Sequence, residues 1–277
     1  MQDWIIQYEP QVRMSVFFGL LSFLFLVQQC FPRRPLSGSK LYRWGNNLGL
    51  VFFNSFVMRV FIPTTTVAVA LWVEQKQWGI FNVWQPNFAL QVILSLLLLD
   101  CLIYWQHRLF HSVPVLWRLH RVHHMDQNID VTTGSRFHPI EIALSLFIKF
   151  IAVLLFGVDA VAIILFEVIL NGTAMFNHAN LRLPLTFDKW LRLLIVTPDM
   201  HRVHHSQRPE ETDSNFGFNL SIWDRVFRSY VDQPRFGHEK MRIGLREFTD
   251  AKVTQSFIGM LVSPFQTSRH SVKKKAS

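Results

Sequence analysis

Five apolar runs occupy most of the chain ahead of Asn177: residues 12–31, 48–73, 88–104, 140–156 and 160–176. A helix needs about 20 apolar residues to cross a bilayer, and in hydrocarbon each backbone N–H and C=O must find its partner within the protein. Such runs leave little choice but an all-α fold. Composition agrees, since 50% of residues are hydrophobic and 17% charged, against about 25% charged in soluble domains. The 26 Phe and 9 Trp point the same way. The net charge of +9 does not indicate nucleic acid, because the basic residues are scattered between apolar runs and gather at their ends instead of forming one stripe. Cys30 and Cys101 lie far apart inside apolar stretches, so they suit neither a disulfide framework nor a CxxC site and read as small buried hydrophobes.

The run 12–31 is interrupted by Arg13, Gln28 and Gln29. With no basic region before it and no small-residue cleavage site after it, it is expected to be a retained span and not a signal peptide. The segment 32–43 is turn-rich and holds four positive charges, Arg33, Arg34, Lys40 and Arg43, which the positive-inside rule places in the cytoplasm. The next two runs, joined by the loop Glu74 to Pro86, go out and return, delivering the residues after Trp105 to the cytoplasmic face. Arg59 and Pro63 imply that the second run is tilted or kinked. Runs 140–156 and 160–176, separated by Gly157, Val158 and Asp159, are short for full spans and read as a membrane hairpin that enters and leaves on the cytoplasmic side. From Asn177 the chain is soluble in character and ends in the basic stretch Arg269 to Lys275. The expected architecture is a multi-pass membrane helical bundle with a cytoplasmic histidine-rich helical cap. Its expected divisions are an N-terminal membrane region (1–86) containing the basic linker (32–43), a central domain (87–231) and a basic C-terminal tail (232–277).

The chain repeats one short motif, His-Arg-Val-His-His, at His120, His123, His124 and at His201, His204, His205. With this histidine content one such triplet arises by chance in roughly one chain in fifty, and two in about one in several thousand, so the pattern carries information. Positions i, i+3 and i+4 share a helical face and aim three imidazoles at one place. His107 and His111 do the same at i and i+4, Pro114 is placed to turn the chain between them and the first triplet, and His178 ends the fifth run. Packing so many titratable rings together without a cation is costly. The nine residues His107, His111, His120, His123, His124, His178, His201, His204 and His205 exceed the three or four ligands that one zinc takes, so two ions with four or five imidazoles each are expected. Imidazole serves zinc, copper, iron and nickel alike and leaves the metal open. His238 and His270 have no ligand spacing near them and read as solvated or hydrogen-bonded residues.

Three boxes in this order, His107–His111, His120–His124 and His201–His205, resemble the integral-membrane fatty acid hydroxylase and sterol desaturase superfamily. The similarity extends to Arg136-Phe-His-Pro-Ile-Glu141, Asp213-Ser-Asn-Phe-Gly217 and Ser221-Ile-Trp-Asp-Arg225, covering residues 95–231. The resemblance implies a non-haem centre of two iron ions, cycling between Fe2+ and Fe3+, that activates dioxygen to hydroxylate or desaturate a lipid. It makes the nine histidines metal ligands, and His138 either a tenth ligand or a residue behind them, although Pro139 and Glu141 equally suit a helix start packed beside the site. Where some fatty acid hydroxylases carry a full His-x-x-x-His pair, this chain has His178 followed by Arg182, so fatty acid 2-hydroxylation is not implied. Asp126, Asp130, Asp199 and Asp213 lie near the boxes and are candidates to accept the other ring N–H of a ligating imidazole. Asp224 with Arg225 reads as a structural turn or ion pair.

No CxxCH, Rossmann glycine pattern or P-loop occurs in the sequence, so electrons are expected from an external donor of cytochrome or ferredoxin type, drawn to a basic cytoplasmic surface. Two rivals stand beside the oxidase. A zinc-dependent membrane hydrolase is disfavoured because His238-Glu239-Lys240-Met241-Arg242 lacks the second histidine of HExxH and no Gly-x-Ser-x-Gly occurs. A metal transporter or sensor would place its ligands near the bilayer midplane, whereas these boxes lie at or beyond the ends of apolar runs.

Overall fold

The computed structural model describes residues 2–266; His270 and the basic stretch Arg269 to Lys275 lie outside the described residues. The described chain is all-α. In order the helices are α1 (Gln2–Gln7), α2 (Glu9–Cys30), α3 (Lys40–Phe61), α4 (Thr66–Gln75), α5 (Ile80–Trp84), α6 (Phe88–Ser112), α7 (Pro114–His124), α8 (Pro139–Phe156) and α9 (Ala160–His178). Seven short ones follow: α10 (Leu185–Leu191), α11 (Pro198–His204), α12 (Pro209–Thr212), α13 (Ile222–Val226), α14 (Gly237–Lys240), α15 (Ala251–Thr254) and α16 (Phe257–Val262). Five helical segments, Glu9–Cys30, Lys40–Trp84, Phe88–Ser112, Pro139–Phe156 and Ala160–His178, are long and apolar enough to cross a membrane. The last is the central one, with 50% of its apolar window buried against 6% for Glu9–Cys30. Its Ile163, Ile164 and Phe166 pack with Val67 and Val73 of α4, Leu99 and Ile103 of α6, and Val153 of α8.

Pro63 ends α3, since proline has no N–H to donate and disfavours helix in the residue before it. The chain is non-helical from Ile62 to Thr65 and restarts when the Thr65 side chain accepts from Ala68 N at 3.1 Å. The kink expected at Arg59 and Pro63 is thus a complete break. At one end of the bundle Gly157, at φ +68°, stops α8, and Asp159 starts α9 by accepting from Val161 N at 2.7 Å. Gln91 at the head of α6 donates to the Gly157 carbonyl at 3.3 Å, so α6 begins at the end where α8 turns into α9. The other end of α8 and α9 carries His138 and His178. The pair is therefore a hairpin whose two ends both reach the histidine layer.

That layer is tied together by charges from the linker. Arg43 is buried and pairs with Asp126 at 2.8 Å and with Asp130, Arg33 reaches Asp199 at 3.2 Å, and Arg34 donates to the His238 carbonyl at 2.8 Å. The start of the segment read as a basic tail is also structured. Leu245, Phe248 and Met260 form a small core with Leu50, Val122 and Met125, Phe257 meets Phe53 edge-on at 5.3 Å, and Arg121 donates to the carbonyls of Ser263 and Gln266. The apolar stretch 257–262 supplies the surface that a solvated tail would lack. Cys30 and Cys101 are free thiols; Cys30 is exposed and Cys101 half-buried.

Candidate metal centre

Each histidine box sits where local sequence puts it. His107 and His111 lie on the last two turns of α6, and Pro114 opens α7 at a position where its missing N–H costs nothing. The turn at Val113 sends α7 back along α6, bringing His107 Nε2 to 3.1 Å from His120 Nε2 and His111 Nε2 to 3.1 Å from His124 Nε2. Thr197 caps α11 by accepting from Met200 N at 3.3 Å, with Pro198 in its first turn. That helix presents His201 and His204, with His205 at its end. His178, closing α9, lies 3.0 Å from His123 and from His201 and 3.2 Å from His205, all between Nε2 atoms.

The nine histidines fall into two groups, each with ligand atoms within 4.8 Å of one another: His107, His111, His120, His124 and His204, and His123, His178, His201 and His205. Both triplets are divided between the groups, because His123 points away from His120 and His124, and His204 away from His201 and His205.

Hydrogen bonds behind the rings fix several tautomers. Nδ1 of His107 donates to the Phe216 carbonyl at 2.8 Å, that of His178 to Ala174 at 2.7 Å and that of His204 to Ser214 at 2.7 Å. His120 Nδ1 meets Glu141 Oε1 at 2.6 Å, and His111 Nδ1 meets Asp213 Oδ1 at 3.2 Å. A neutral imidazole that donates through Nδ1 has only a lone pair at Nε2. The Nε2 lone pairs of His107 and His120 therefore face each other, and the single lone pair of His178 faces three rings. One lone pair cannot accept from three donors. A cation resolves both problems. Two nitrogens at about 2.1 Å from an ion and at right angles to it are about 3.0 Å apart, the spacing seen here. Burial pushes His120 down to about 3. Burial first, and then the neighbouring imidazoles, hold His123, His124, His201 and His205 well below the usual histidine range. These rings are neutral at pH 7 and free to donate.

Of the four aspartates near the boxes, only Asp213 touches a grouped histidine. Asp126 and Asp130 bind Arg43, with Arg136 3.4 Å from Asp126, and Asp199 binds Arg33 and Arg202. They brace the loops and not the rings. His138 belongs to neither group; its Nδ1 accepts from Ile140 N at 3.2 Å, capping α8, and its Nε2 donates to the Leu261 carbonyl at 3.3 Å. The helix it starts delivers Glu141 to His120. His238 is buried, with Nε2 3.1 Å from Gln233 Oε1. Asp224 accepts from Phe216 N at 2.7 Å, Gly217 N at 2.9 Å and Ser229 Oγ at 2.7 Å, which holds the loop whose carbonyls orient His107 and His204.

Two cavities reach the groups. One of about 1020 Å³ includes His107 and His120 in its wall together with Ile103, Phe110, Phe137 and Phe218. The other, about 320 Å³, meets His111 between residues 206–213 and 244–247.

The fatty acid hydroxylase family profile matches residues 92–229, the stretch from α6 to the loop after α13. The chain is 30% identical over 181 residues to the ornithine lipid hydroxylase OlsE of Rhizobium tropici, covering 65% of this chain and 52% of that protein. It is 31% identical to the alkylglycerol monooxygenase of Xenopus tropicalis over 55% of this chain and 32% of that one, and 24% identical to human lathosterol oxidase over 60% and 53%. The chain thus spans about half the length, or less, of these curated relatives. No solved structure matches.

Proposed function

Because the chain belongs to the fatty acid hydroxylase family, we propose that it is a multi-pass membrane oxidase in which two iron ions, dioxygen and an external electron donor serve to hydroxylate or desaturate a lipid. The observation that carries this reading is the division of nine histidines into groups of five and four beside a cavity whose wall at His107 and His120 is apolar, with Ile103, Phe110, Phe137 and Phe218. Bound iron would supply dioxygen activation and C–H oxidation, chemistry that imidazole ligands with open positions suit. The residues of the chain do the rest. The carbonyls of Phe216, Ser214 and Ala174 and the carboxylates of Glu141 and Asp213 hold five rings in the tautomer that leaves Nε2 bare. Phe110, Phe137 and Phe218 present an apolar wall that excludes water from the reacting carbon. The basic side of the histidine layer is the proposed cytoplasmic face, where a cytochrome or ferredoxin would dock.

Metal analysis of anaerobically purified protein, with dioxygen uptake measured on adding lipid and reductant, tests the proposal. Two irons per chain and lipid-dependent uptake are expected. One metal or fewer per fully loaded chain removes the dinuclear centre, and zinc with lipid hydrolysis in place of uptake replaces the oxidase with a hydrolase.

A further inference from the structure

The cavity that reaches His107 and His120 is not apolar throughout. Glu9 and Arg13 of α2, Arg59 of α3, Thr64 to Thr66 at the helix break, Lys149 of α8 and Glu167 of α9 also line it. These charges lie well away from the histidines. Lys149 follows Glu141 by eight residues of α8, and Glu167 precedes His178 by eleven residues of α9, so at 1.5 Å per residue the separation is about 12 to 17 Å.

Ionisable groups inside an apolar span are costly unless they pair with one another or serve a ligand. Most of these do pair. Glu167 accepts from Lys149, from Arg13 Nη1 at 2.8 Å and from Thr66 Oγ1 at 3.2 Å, and Arg13 Nε meets Glu9 at 2.6 Å. The third carboxylate of the cavity, Glu141, is bound to His120 at the histidine end, so at this end three cations face two carboxylates, and Arg59, exposed at the cavity wall, forms no ion pair among the described residues. Lys149 uses one of its three N–H donors on Glu167 and keeps the others. The cluster is short of one negative charge, and it opens into the same cavity as the histidines.

We infer that this cluster is a subsite for a single anionic group, carboxylate or phosphate, at one end of the lipid, held by Arg59 and Lys149. The inference deepens the lipid-oxidase reading and rests on it for the position of oxidation. A head group anchored there puts at the histidines a carbon well along the chain and not one beside the head.

The test is lipid binding to the purified protein in neutral detergent, using tritiated palmitate, 1-palmitoyl lysophosphatidate and methyl palmitate as probes. Hydrogen bonds to a charged group are stronger than those to a neutral one, so at least one anion should bind about tenfold or more tighter than the ester. Which anion does so separates a free fatty acid from a phosphate-bearing lipid. Arg59→Gln should abolish most of that preference and leave methyl palmitate binding unchanged, while Arg59→Lys should keep the preference. Methyl palmitate binding as tightly as both anions to the unaltered protein overturns the subsite, and so does an Arg59→Gln protein that weakens for all three probes alike. If the preferred anion is bound and never oxidised, the oxidase reading falls and the subsite stands. If it is oxidised at the carbon next to its head, the proposed placement is wrong.

Discussion

At the residue scale the proposed centre draws each group of rings from distant segments. His123 joins His178, His201 and His205, and His204 joins His107, His111, His120 and His124. Replacing His123 or His204 alone with Ala is expected to abolish lipid oxidation. The double replacement should add little, because groups that act as a unit are non-additive. The kinetics of the two single variants and the double decide it, with His270→Ala as the silent control. A folded His204→Ala protein that keeps both metals and turns over lipid at the parent rate ends the assignment. All nine grouped histidines could be picked out in the sequence, eight by local spacing on one helix face, which needs no tertiary knowledge, and His178 by its place at the end of the fifth apolar run. What orients them could not. Three of the anchors are backbone carbonyls, which no side-chain pattern reveals, and Glu141 could be read only as part of a helix start. Asp126, Asp130 and Asp199 lie as near to the boxes in sequence as Asp213 does, yet they turn to arginines. For Asp126 and Asp130 the partner is Arg43, more than 80 positions away.

At the element scale the five long helices follow from apolar run length and well-placed caps such as Asp159 and Thr65; α2, α8 and α9 keep close to their apolar runs, whereas α3 begins eight residues before its run and α6 ends eight residues after. The break after Phe61 could be foreseen only as a kink, because whether the freed backbone groups find partners is decided by neighbouring helices. The packing of the segment after Gly237 was missed because short helices owe their stability to the surface they cover and have little periodicity of their own. Arg43 is the most exposed of these elements to a single change. It is nearly inaccessible at 2% and faces two carboxylates that are fully buried. Breaking such a network from one side costs about 3–5 kcal/mol, since Asp130 then stays buried without a counter-ion and Asp126 keeps only Arg136 at 3.4 Å. Arg43→Met should therefore lower the thermal unfolding midpoint in detergent and loosen the loop 126–133; an unchanged midpoint would count against this role for the α3 anchor.

At the scale of the whole molecule, the bundle has a histidine end and a turn end, the latter marked by the Gln91 to Gly157 contact. The positive charges of segment 32–43 lie at the histidine end. The proposed topology puts that end, together with Lys273, Lys274 and Lys275 outside the described residues, in the cytoplasm, with the loop Glu74 to Pro86 across the membrane. Reporter fusions within that loop and after Lys275 should report opposite sides, and a shared side contradicts the topology. The positive-inside signal is itself altered by folding. Arg33, Arg34 and Arg43 bind acidic or carbonyl groups of the histidine layer, so in the proposed topology the charges that would orient the chain as it inserts also tie the folded layer together.

The interleaving of the two triplets has one more consequence. Helix α7 sends His120 and His124 to one group and His123 to the other, and the turn ending α11 divides His204 from His201 and His205 in the same way. In the proposed dinuclear centre, an ion captured by either group would immobilise both segments, and with them most of the empty partner's ligands. The second ion would then meet a site whose ordering entropy had already been lost, which would couple the two affinities positively without any contact between the ions. A centre built in this way would be expected to fill and empty in pairs, and a metal titration that gives a stable one-metal form would contradict it.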